Sequence, residues 1–290
     1  MTTDKLLHEQ TEAQIDAFVN NPAHSLLIYG PAGSGKMFLA RYISASLMAV
    51  DIDRLDDQPH FTVLGRPEGK QEIPIDSVRQ IIKKLALKTA GRKRIVIIED
   101  AHVLSEEAQN ALLKSIEEPP PDTHFILTVP AVSLLLPTIT SRSRKLPVKP
   151  VSLEKSLEFF GNDNRPDKIT GAWNLSRGSV GLLSALLNDD NEHPLKTAVE
   201  QAKLFVRMNK YERAIFLDKI SPDKNAYSTF LDALDRLLSA LATSSISSEK
   251  PAQTARILLS RKLINGAIQN LSANVSPRLI SLRLAQGLTI

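Results

Sequence analysis

Cysteine is absent from the chain, which excludes disulfide bonds and thiolate-ligated metal sites. The six histidines form no H-x-x-x-H pair, so a helical histidine metal site is not expected either. Long apolar runs are also missing, because none approaches the roughly 18 residues that a membrane span requires. The only tryptophan, Trp173, is expected in the core of a small helical domain rather than as a platform for stacked bases. These absences predict a protein without zinc that makes no membrane contact.

The first residues, "MTTDKLLHEQTEAQ", contain acids and lack an apolar central region, so they predict no signal peptide. At 290 residues the chain is long enough for about two domains with a sizeable core. Its 42% hydrophobic and 23% charged residues are ordinary for a globular protein. We therefore expect a cytoplasmic protein.

Acidic residues are missing from two basic segments, although the net charge of the whole chain is only +4. The segment 77–98 has seven basic residues and the segment 250–290 has six. Such segments suit a polyanion or an acidic partner surface, and they also suit an ordinary solvated face. A stand-alone nucleic-acid-binding protein is one interpretation of these two segments, but it leaves the glycine-rich segment at residues 30–37 unexplained.

The first 150 residues alternate between two hydrophobic periods. Short apolar runs rich in β-branched and aromatic residues lie at 26–29, 61–64, 95–98 and 125–129. Between them lie longer stretches with apolar residues at helical spacing, at 75–85 and 108–116. Strands that alternate with helices predict a parallel sheet covered on both faces, which is an α/β fold.

Beyond Pro150 the strand pattern fades, and helical periodicity extends to the end of the chain. The polar run "ATSSISSEKP" at 242–251 predicts a loop between helices. We expect an α/β domain at 1–150, a small helical domain at 151–190 and a larger helical domain at 191–290.

The segment "GPAGSGKM", residues 30–37, follows the phosphate-loop pattern G-x-x-x-x-G-K-[ST] up to its last position. Its glycines let backbone N–H groups point inward at the start of a helix, and Lys36 would reach the β- and γ-phosphates. The alternative is a tight strand-to-helix turn that is merely rich in glycine. The candidate nucleotide-binding residues are Gly30, Pro31, Gly33, Ser34, Gly35, Lys36 and Met37.

Two positions that would hold Mg²⁺ depart from the pattern. Met37 stands where a hydroxyl would bind Mg²⁺, and a thioether is a poor ligand for that ion. Glu99 and Asp100, after the apolar run 95–98, have the inverse of the usual Asp-Glu order. Because both departures weaken Mg²⁺ binding, the sequence predicts a poor ATPase.

The segment "IVIIEDAHVLSEEAQNALLKSIEEPPPDTHFILTV", followed by "LLPTITSRSRKLPV", resembles the AAA+ clamp-loader subunits of bacterial DNA polymerase III. "HFTVLGRPEGKQEIPIDSVRQIIKKL" is similar to the family's segment leading into its second helix, and "LINGAIQNLSANVSPRLISLRLAQGL" to its closing helices. The resemblance implies an AAA+ P-loop domain, a helical lid and a C-terminal collar that governs assembly. It covers nearly the whole chain, although 191–250 matches only in helical character.

The departures from the family pattern imply the non-catalytic delta-prime type of subunit, which serves as the stator of the loader. Besides Met37 and the inverted acids, Gly181 stands where the catalytic subunit has the arginine of its "GS-x-R" segment. The family's four-cysteine zinc module is missing, so no zinc is implied. No cofactor is required by this interpretation, although ATP or ADP can bind weakly at the degenerate loop.

The resemblance also implies roles for particular residues. Arg142, in Ser-Arg-Ser at 141–143, stands where the family offers an arginine finger in trans to a neighbour's ATP, and Arg144 is a near-identical competitor. Thr128 stands at the sensor-1 position. Arg79 and Lys83 fall on the outer surface of a helix predicted from Asp76 to about Thr89, which in the family lines the chamber that holds DNA phosphates.

The preferred function is therefore a non-hydrolysing stator that helps load the sliding clamp onto primed DNA. The implied partners are the loader's ATPase subunits, a delta-type subunit, primer-template DNA through its phosphates and, indirectly, the clamp. The alternative is a catalytically active AAA+ ATPase, either the loader's motor or a related helicase-type protein, that binds ATP at 30–37.

Overall fold

The structure is a computed structural model that describes residues 5–67, 70, 72–85, 91–188 and 193–289. The chain divides into two compact units, residues 1–151 and residues 152–290. The predicted boundary between a lid and a collar, at 190/191, lies outside the described residues and stays a prediction. Lys88 and the predicted helix end near Thr89 also lie outside them.

The first unit contains a five-stranded parallel sheet, as the alternation of strands and helices predicted. The strands are β1 (Ser25–Tyr29), β2 (Phe61–Leu64), β3 (Arg94–Ile98), β4 (Thr123–Val129) and β5 (Arg144–Pro147). Their order in the sheet is β2-β3-β4-β1-β5. The first four strands along the chain contain the four predicted apolar runs.

Helices cover both faces of this sheet because successive residues of a strand point to opposite sides. The helices of this unit are α1 (Glu9–Asn20), α2 (Lys36–Met48), α3 (Ile75–Leu85), α4 (Glu106–Glu117) and α5 (Pro137–Ser141). Leu27, Val96 and Leu127 pack in one cluster with α3 and α4, while Leu26, Ile97 and their neighbours pack in a second cluster with α1 and α2.

The elements of the second unit are all helices among its described residues, and a large core cluster joins residues of α9 to α13. Phe205, Tyr227 and Phe230 are fully or almost fully buried in it. No helix among the described residues of the chain is both long and apolar enough to cross a bilayer. The helices are α6 (Leu153–Phe160), α7 (Pro166–Ser176), α8 (Val180–Leu187), α9 (Pro194–Arg207), α10 (Lys210–Ile220), α11 (Lys224–Ser247), α12 (Pro251–Ser272) and α13 (Pro277–Gly287).

The loop predicted at 242–251 is wrong over most of its length, because α11 continues to Ser247. The hydroxyls of Thr243 and Ser247 donate to the carbonyls four residues earlier, so these polar side chains are satisfied within the helix. Ala242 and Ser245 are buried on the face that packs in the unit. Small residues at helical spacing thus keep the run helical despite its polar composition.

Candidate phosphate-binding site

The glycine-rich loop connects β1 to α2 at the carboxyl edge of the sheet. Gly33 and Gly35 have φ angles of 76° and 87°, in the left-handed region that residues with a Cβ avoid. At Gly30 a Cβ would lie 3.1 Å from Ser34 Oγ and 3.2 Å from Val148 Cβ, which is tighter than most real contacts. The glycines therefore shape a turn that aims at the first turn of α2, the geometry of a phosphate loop.

Lys36 is the first residue of α2, and its ammonium group folds onto the loop. Nζ donates to the carbonyl oxygens of Gly30 at 2.8 Å and Pro31 at 3.0 Å. Burial lowers the pKa of Lys36, and the negative charge of Asp100 opposes that shift only in part. The site thus holds a partly desolvated positive charge, which an anion such as a phosphate stabilises.

Ser34 and Met37 determine how a nucleotide would fit this loop. Ser34 Oγ is buried and has no hydrogen-bond partner among the described residues, so a phosphate oxygen there would satisfy it. Met37 is partly buried against the apolar cluster beneath α2 and offers no hard oxygen. The loop therefore fits a phosphate group but lacks the hydroxyl that binds Mg²⁺.

The acid pair lies beyond the end of β3. Asp100 has a left-handed φ of 47°, and its backbone N–H donates to Thr128 Oγ1 at 3.0 Å. Burial and the neighbouring charge of Asp100 raise the pKa of Glu99, while Arg66 opposes that rise. The structure thus brings Lys36, Asp100 and Thr128 to one edge of the sheet, although Thr128 bonds to backbone there.

Arg66 and His102 also lie at this edge of the sheet, and the sequence analysis did not identify them. His102 lies in a 3-10 turn (Ala101–Val103), and its Nδ1 is buried without a hydrogen-bond partner among the described residues. Burial lowers the pKa of His102, the negative charge of Asp100 raises it, and the positive charges of Lys36 and Arg66 lower it. His102 is therefore within electrostatic reach of Asp100, Lys36 and Arg66. Their positions in the sequence could have indicated both residues, because Arg66 follows β2 and His102 follows β3 at the carboxyl ends of parallel strands, where ligands bind in such sheets.

Arg142 and Arg144, the two competing candidates, have different surroundings. Arg142 caps α5 and is about 42% exposed; its Nε forms an ion pair with Glu117 Oε1 at 2.7 Å. Arg144 lies on β5, contacts the carbonyl of Asn21 at 3.3 Å and lies over the ring of Phe18. Arg144 is therefore engaged with the end of α1, whereas Arg142 is held by a partly exposed ion pair.

The basic segment 77–98 does not form a single patch in its described part. Arg79 and Lys83 are exposed on α3, and Arg79 lies 3.3 Å from Asp76 in an exposed ion pair. Arg94 is buried and donates to the carbonyl of Leu85, at the end of α3.

Gly181, where the catalytic subunit type has an arginine, lies in α8, within the helical unit.

Comparison with known proteins agrees with this fold. Residues 10–152 match the family model described as DNA polymerase III, delta subunit. The α/β unit of this chain is thus similar to the clamp-loader AAA+ subunits of DNA polymerase III, and to delta' in particular. The matched residues contain the whole phosphate-loop edge, including Lys36, Glu99, Asp100 and Thr128.

Individual relatives show the same similarity. DNA polymerase III subunit delta' of Pseudomonas aeruginosa is 37% identical over 136 residues, 41% of this chain and 41% of that protein. Subunit delta' of Escherichia coli is 33% identical over 136 residues, 46% of this chain and 41% of that protein. The crystal structure of a DNA polymerase III, gamma subunit-related protein from Thermotoga maritima has a TM-score of 0.50 at 19% identity, covering 96% of this chain and 97% of that one. The matches span only about two fifths of these two delta' proteins, while the structural match supports the fold along the chain.

Proposed function

We propose that the chain is a non-hydrolysing subunit of a DNA polymerase III clamp loader, a stator that assembles with ATPase subunits. One observation carries the proposal: a clamp-loader α/β unit has a glycine loop shaped for phosphate but has Met37 where Mg²⁺ needs an oxygen. The inverted pair Glu99-Asp100 and the missing arginine at Gly181 support the same conclusion. In this role the chain helps load the sliding clamp onto primed DNA without using its own loop for hydrolysis.

The isolated chain should show no ATPase activity above background. Steady-state phosphate release measures this directly, and turnover near about 1 s⁻¹, the low end for ordinary enzymes, would contradict the proposal. Met37→Thr alone should not create activity, because Glu99, Asp100 and Gly181 remain unchanged. The competing function is a catalytically active AAA+ ATPase, which the intact glycines and Lys36 favour. It requires the wild-type chain to hydrolyse ATP.

Nucleotide binding is a separate part of the proposal. Lys36, the loop N–H groups and the unpartnered Ser34 hydroxyl suit the phosphates of ADP or ATP without Mg²⁺. Isothermal titration of the chain with each nucleotide should therefore give an affinity that Mg²⁺ leaves unchanged. A marked gain in affinity with Mg²⁺ would show that another oxygen replaces the missing hydroxyl.

Arg142 is proposed as the arginine finger that the chain offers to the ATP of a neighbouring subunit. A guanidinium is planar and keeps its charge, which suits it to the developing charge on γ-phosphate oxygens. Arg142 is partly exposed at the end of α5, and its guanidinium becomes accessible once its ion pair to Glu117 and its exposed hydrogen bonds to Thr138 and Ser141 open. Arg144 is the weaker candidate, because it already contacts the end of α1.

Arg79 and Lys83 are proposed to contact DNA phosphates in the assembled loader. Both are exposed on one side of α3, one helical turn apart. Arg79→Glu with Lys83→Glu should weaken DNA binding by the assembled complex and flatten its log–log salt dependence by about two units. If the double variant keeps the wild-type slope, the two residues only solvate an exposed helix.

A further inference from the structure

The amino edge of the sheet, opposite the phosphate loop, carries a cavity of about 320 Å³. Its walls come from the last turn of α2 and from the residues that precede β2 and β3, which are neighbouring strands. The cavity lies within the α/β unit and shares no residue with the candidate nucleotide and DNA sites. The residues that line it include Leu47, Met48, Gln58, His60, Arg92 and Lys93.

Two unmatched positive charges line this cavity. Arg92 and Lys93 are exposed, and neither side chain has an ion pair or a hydrogen bond among the described residues. No acid lines the cavity in the described part of the chain. Of the two acids that shortly precede β2, Asp57 is exposed outside the cavity and Asp56 pairs with Arg41 at 2.6 Å. The fold thus gathers positive charge here without a counter-ion among the described residues.

The carbonyl end of α2 accounts for only part of this charge. A helix end carries roughly half a unit of negative charge, so it attracts a cation but does not neutralise two. The excess acts on the neighbouring strand: burial lowers the pKa of His124, and the charges of His24 and Lys93 lower it further. Asp122 and a hydrogen bond to the carbonyl of Ala23 oppose that shift without reversing it. An anion in the cavity would remove the excess positive charge.

The arrangement of the two cations favours a compact anion. Arg92 carries a planar guanidinium, which can bind a phosphate through two N–H groups, and Lys93 adds a point charge. A nucleic-acid backbone uses cations that are distributed along a surface, whereas these two are consecutive residues at one cavity. The cavity volume is at the low end for small-molecule sites, and the buried Leu47 forms an apolar part of the wall. A small molecule with adjacent phosphate groups therefore matches both charge and size.

We propose that this cavity is a binding site for a small molecule that carries a diphosphate group. Arg92 binds one phosphate with two N–H groups and Lys93 binds the other, while His60 lies beside them just before β2. The proposal goes beyond the function proposed above and does not rest on it. The glycine-rich loop lies at the opposite edge of the sheet, so Lys36 can be replaced without a change to this cavity.

The test uses the full chain with Lys36→Ala, which removes the ammonium group of the phosphate loop, and inorganic diphosphate as the probe. Isothermal titration without Mg²⁺ should show one site with a Kd of about 10–500 µM. Arg92→Gln with Lys93→Gln, added to that chain, should weaken binding at least about tenfold, because both charge-assisted contacts are lost. Gln58→Glu, which places a negative charge in the cavity, should weaken it at least about fivefold.

A matched control removes the same charge elsewhere in the α/β unit. Lys114 on α4 and Lys145 on β5 are exposed and do not line the cavity. Lys114→Gln with Lys145→Gln, in the same Lys36→Ala chain, should bind diphosphate within about twofold of the parent Kd, because the lost charges are remote from the cavity. Circular dichroism checks that each variant is folded.

Three outcomes overturn the proposal. Absence of diphosphate binding below about 1 mM in the Lys36→Ala chain shows that all binding occurs at the phosphate loop. A loss in the control equal to that in the Arg92 and Lys93 variant shows that only the net charge of the unit matters. A single-stranded oligonucleotide that needs Arg92 and Lys93, and binds at least about tenfold more tightly than diphosphate, assigns the two cations to a nucleic-acid backbone instead.

Discussion

The two units of this chain use charge in opposite ways. At the carboxyl edge of the sheet, Lys36, Glu99 and Asp100 lie close together, yet none forms an ion pair among the described residues. In the helical unit, Asp235 contacts Arg177 at 2.6 Å and Arg261 at 3.0 Å, joining α7, α11 and α12. The edge of the sheet leaves these three charges without an ion pair, whereas the helical unit uses paired charges to connect its helices.

This difference separates two physical tasks. Desolvated, unmatched charges destabilise the folded state, and they persist where a ligand is to supply the missing partner. Charges that are paired and hydrogen-bonded fix the relative positions of the elements that carry them, and breaking one such pair is costly. Substitutions should therefore alter binding or catalysis at the edge of the sheet and alter stability in the helical unit.

The largest effect is expected for Arg142→Ala, measured in the reconstituted complex. An arginine finger supplied in trans accounts for about 10³-fold or more of the rate at one site. The DNA-stimulated ATPase of the complex should fall, by less than that factor if other sites keep their own fingers. The chain itself should stay folded, because the ion pair of Arg142 with Glu117 and its hydrogen bonds to the Thr138 carbonyl and the Ser141 hydroxyl are all partly or fully exposed.

Two neighbours serve as controls for that result. Glu117→Gln releases Arg142 from its ion pair and should leave the ATPase of the complex unchanged or raise it. Arg144→Ala should alter the packing at the end of α1 without the loss of rate. If Arg144→Ala lowers the rate and Arg142→Ala does not, the finger has been assigned to the wrong arginine.

Arg236→Ala should have the largest effect on stability. The Arg236 side chain is 3% exposed; Nε pairs with Asp232 at 2.8 Å and Nη1 donates to the carbonyl of Ser176 at 2.9 Å. Its removal leaves a cavity and an unsatisfied buried carbonyl, so the free energy of unfolding should fall by about 3 kcal/mol. Urea unfolding followed by the fluorescence of Trp173, the only tryptophan, measures it; a loss below about 1 kcal/mol would show that this contact is dispensable.

Asp235→Asn and Glu99→Gln make a matched pair of substitutions, one in each unit. Burial alone would raise the pKa of Asp235, but the hydrogen bonds from Arg261 and Arg177 outweigh it and lower that pKa. Asp235 therefore stabilises the fold above its unfolded pKa, and this contribution is lost as pH falls through its folded pKa. Asp235→Asn should cost about 1.5 kcal/mol at pH 7 and weaken the acid dependence of unfolding.

The smallest effect, and of opposite sign, is expected for Glu99→Gln. Burial raises the pKa of Glu99 in the folded state above its value in the unfolded chain. The contribution of Glu99 to folding stability is therefore favourable below the unfolded-state pKa, and it is lost as pH rises through the folded-state pKa. The amide should therefore stabilise the α/β unit at pH 7 by about 0.5 kcal/mol, a figure kept small because the side chain is partly exposed. Hydrogen exchange of the β3 amides measures it, and destabilisation by Glu99→Gln would remove the contrast between the units.

Much of the fold was predictable from local patterns. Each apolar run at 26–29, 61–64, 95–98 and 125–129 lies within an observed strand, because burial on both faces requires continuous apolar residues. The start of α4 follows a local pattern too, because Ser105 Oγ accepts from the N–H of Ala108 as an N-cap. The loop predicted at 242–251 was wrong because composition says nothing about the packing of Ala242 and Ser245 against neighbouring helices.

The candidate site was less accessible to sequence reasoning. The glycine spacing identified the loop, and the positive φ angles of Gly33 and Gly35 agree with the phosphate-loop geometry that the spacing suggests. The neighbourhood of Arg66, His102 and Asp100 depends on which strands are adjacent, and a linear pattern does not contain strand order. The ion pair of Arg142 with Glu117 likewise depends on how α5 packs against α4.

The position of β1 in the sheet has a consequence for how the chain folds. Ser25 pairs with Phe125 on β4 and Leu26 pairs with Arg144 on β5, so β1 is synthesised long before the two strands that flank it in the sheet. The sheet cannot close before β5 has left the ribosome, and long-range parallel pairing of this kind is intrinsically slow. Until then the apolar β1 remains a vulnerable segment for aggregation, so truncation before Arg144 should yield an insoluble fragment rather than a smaller folded domain.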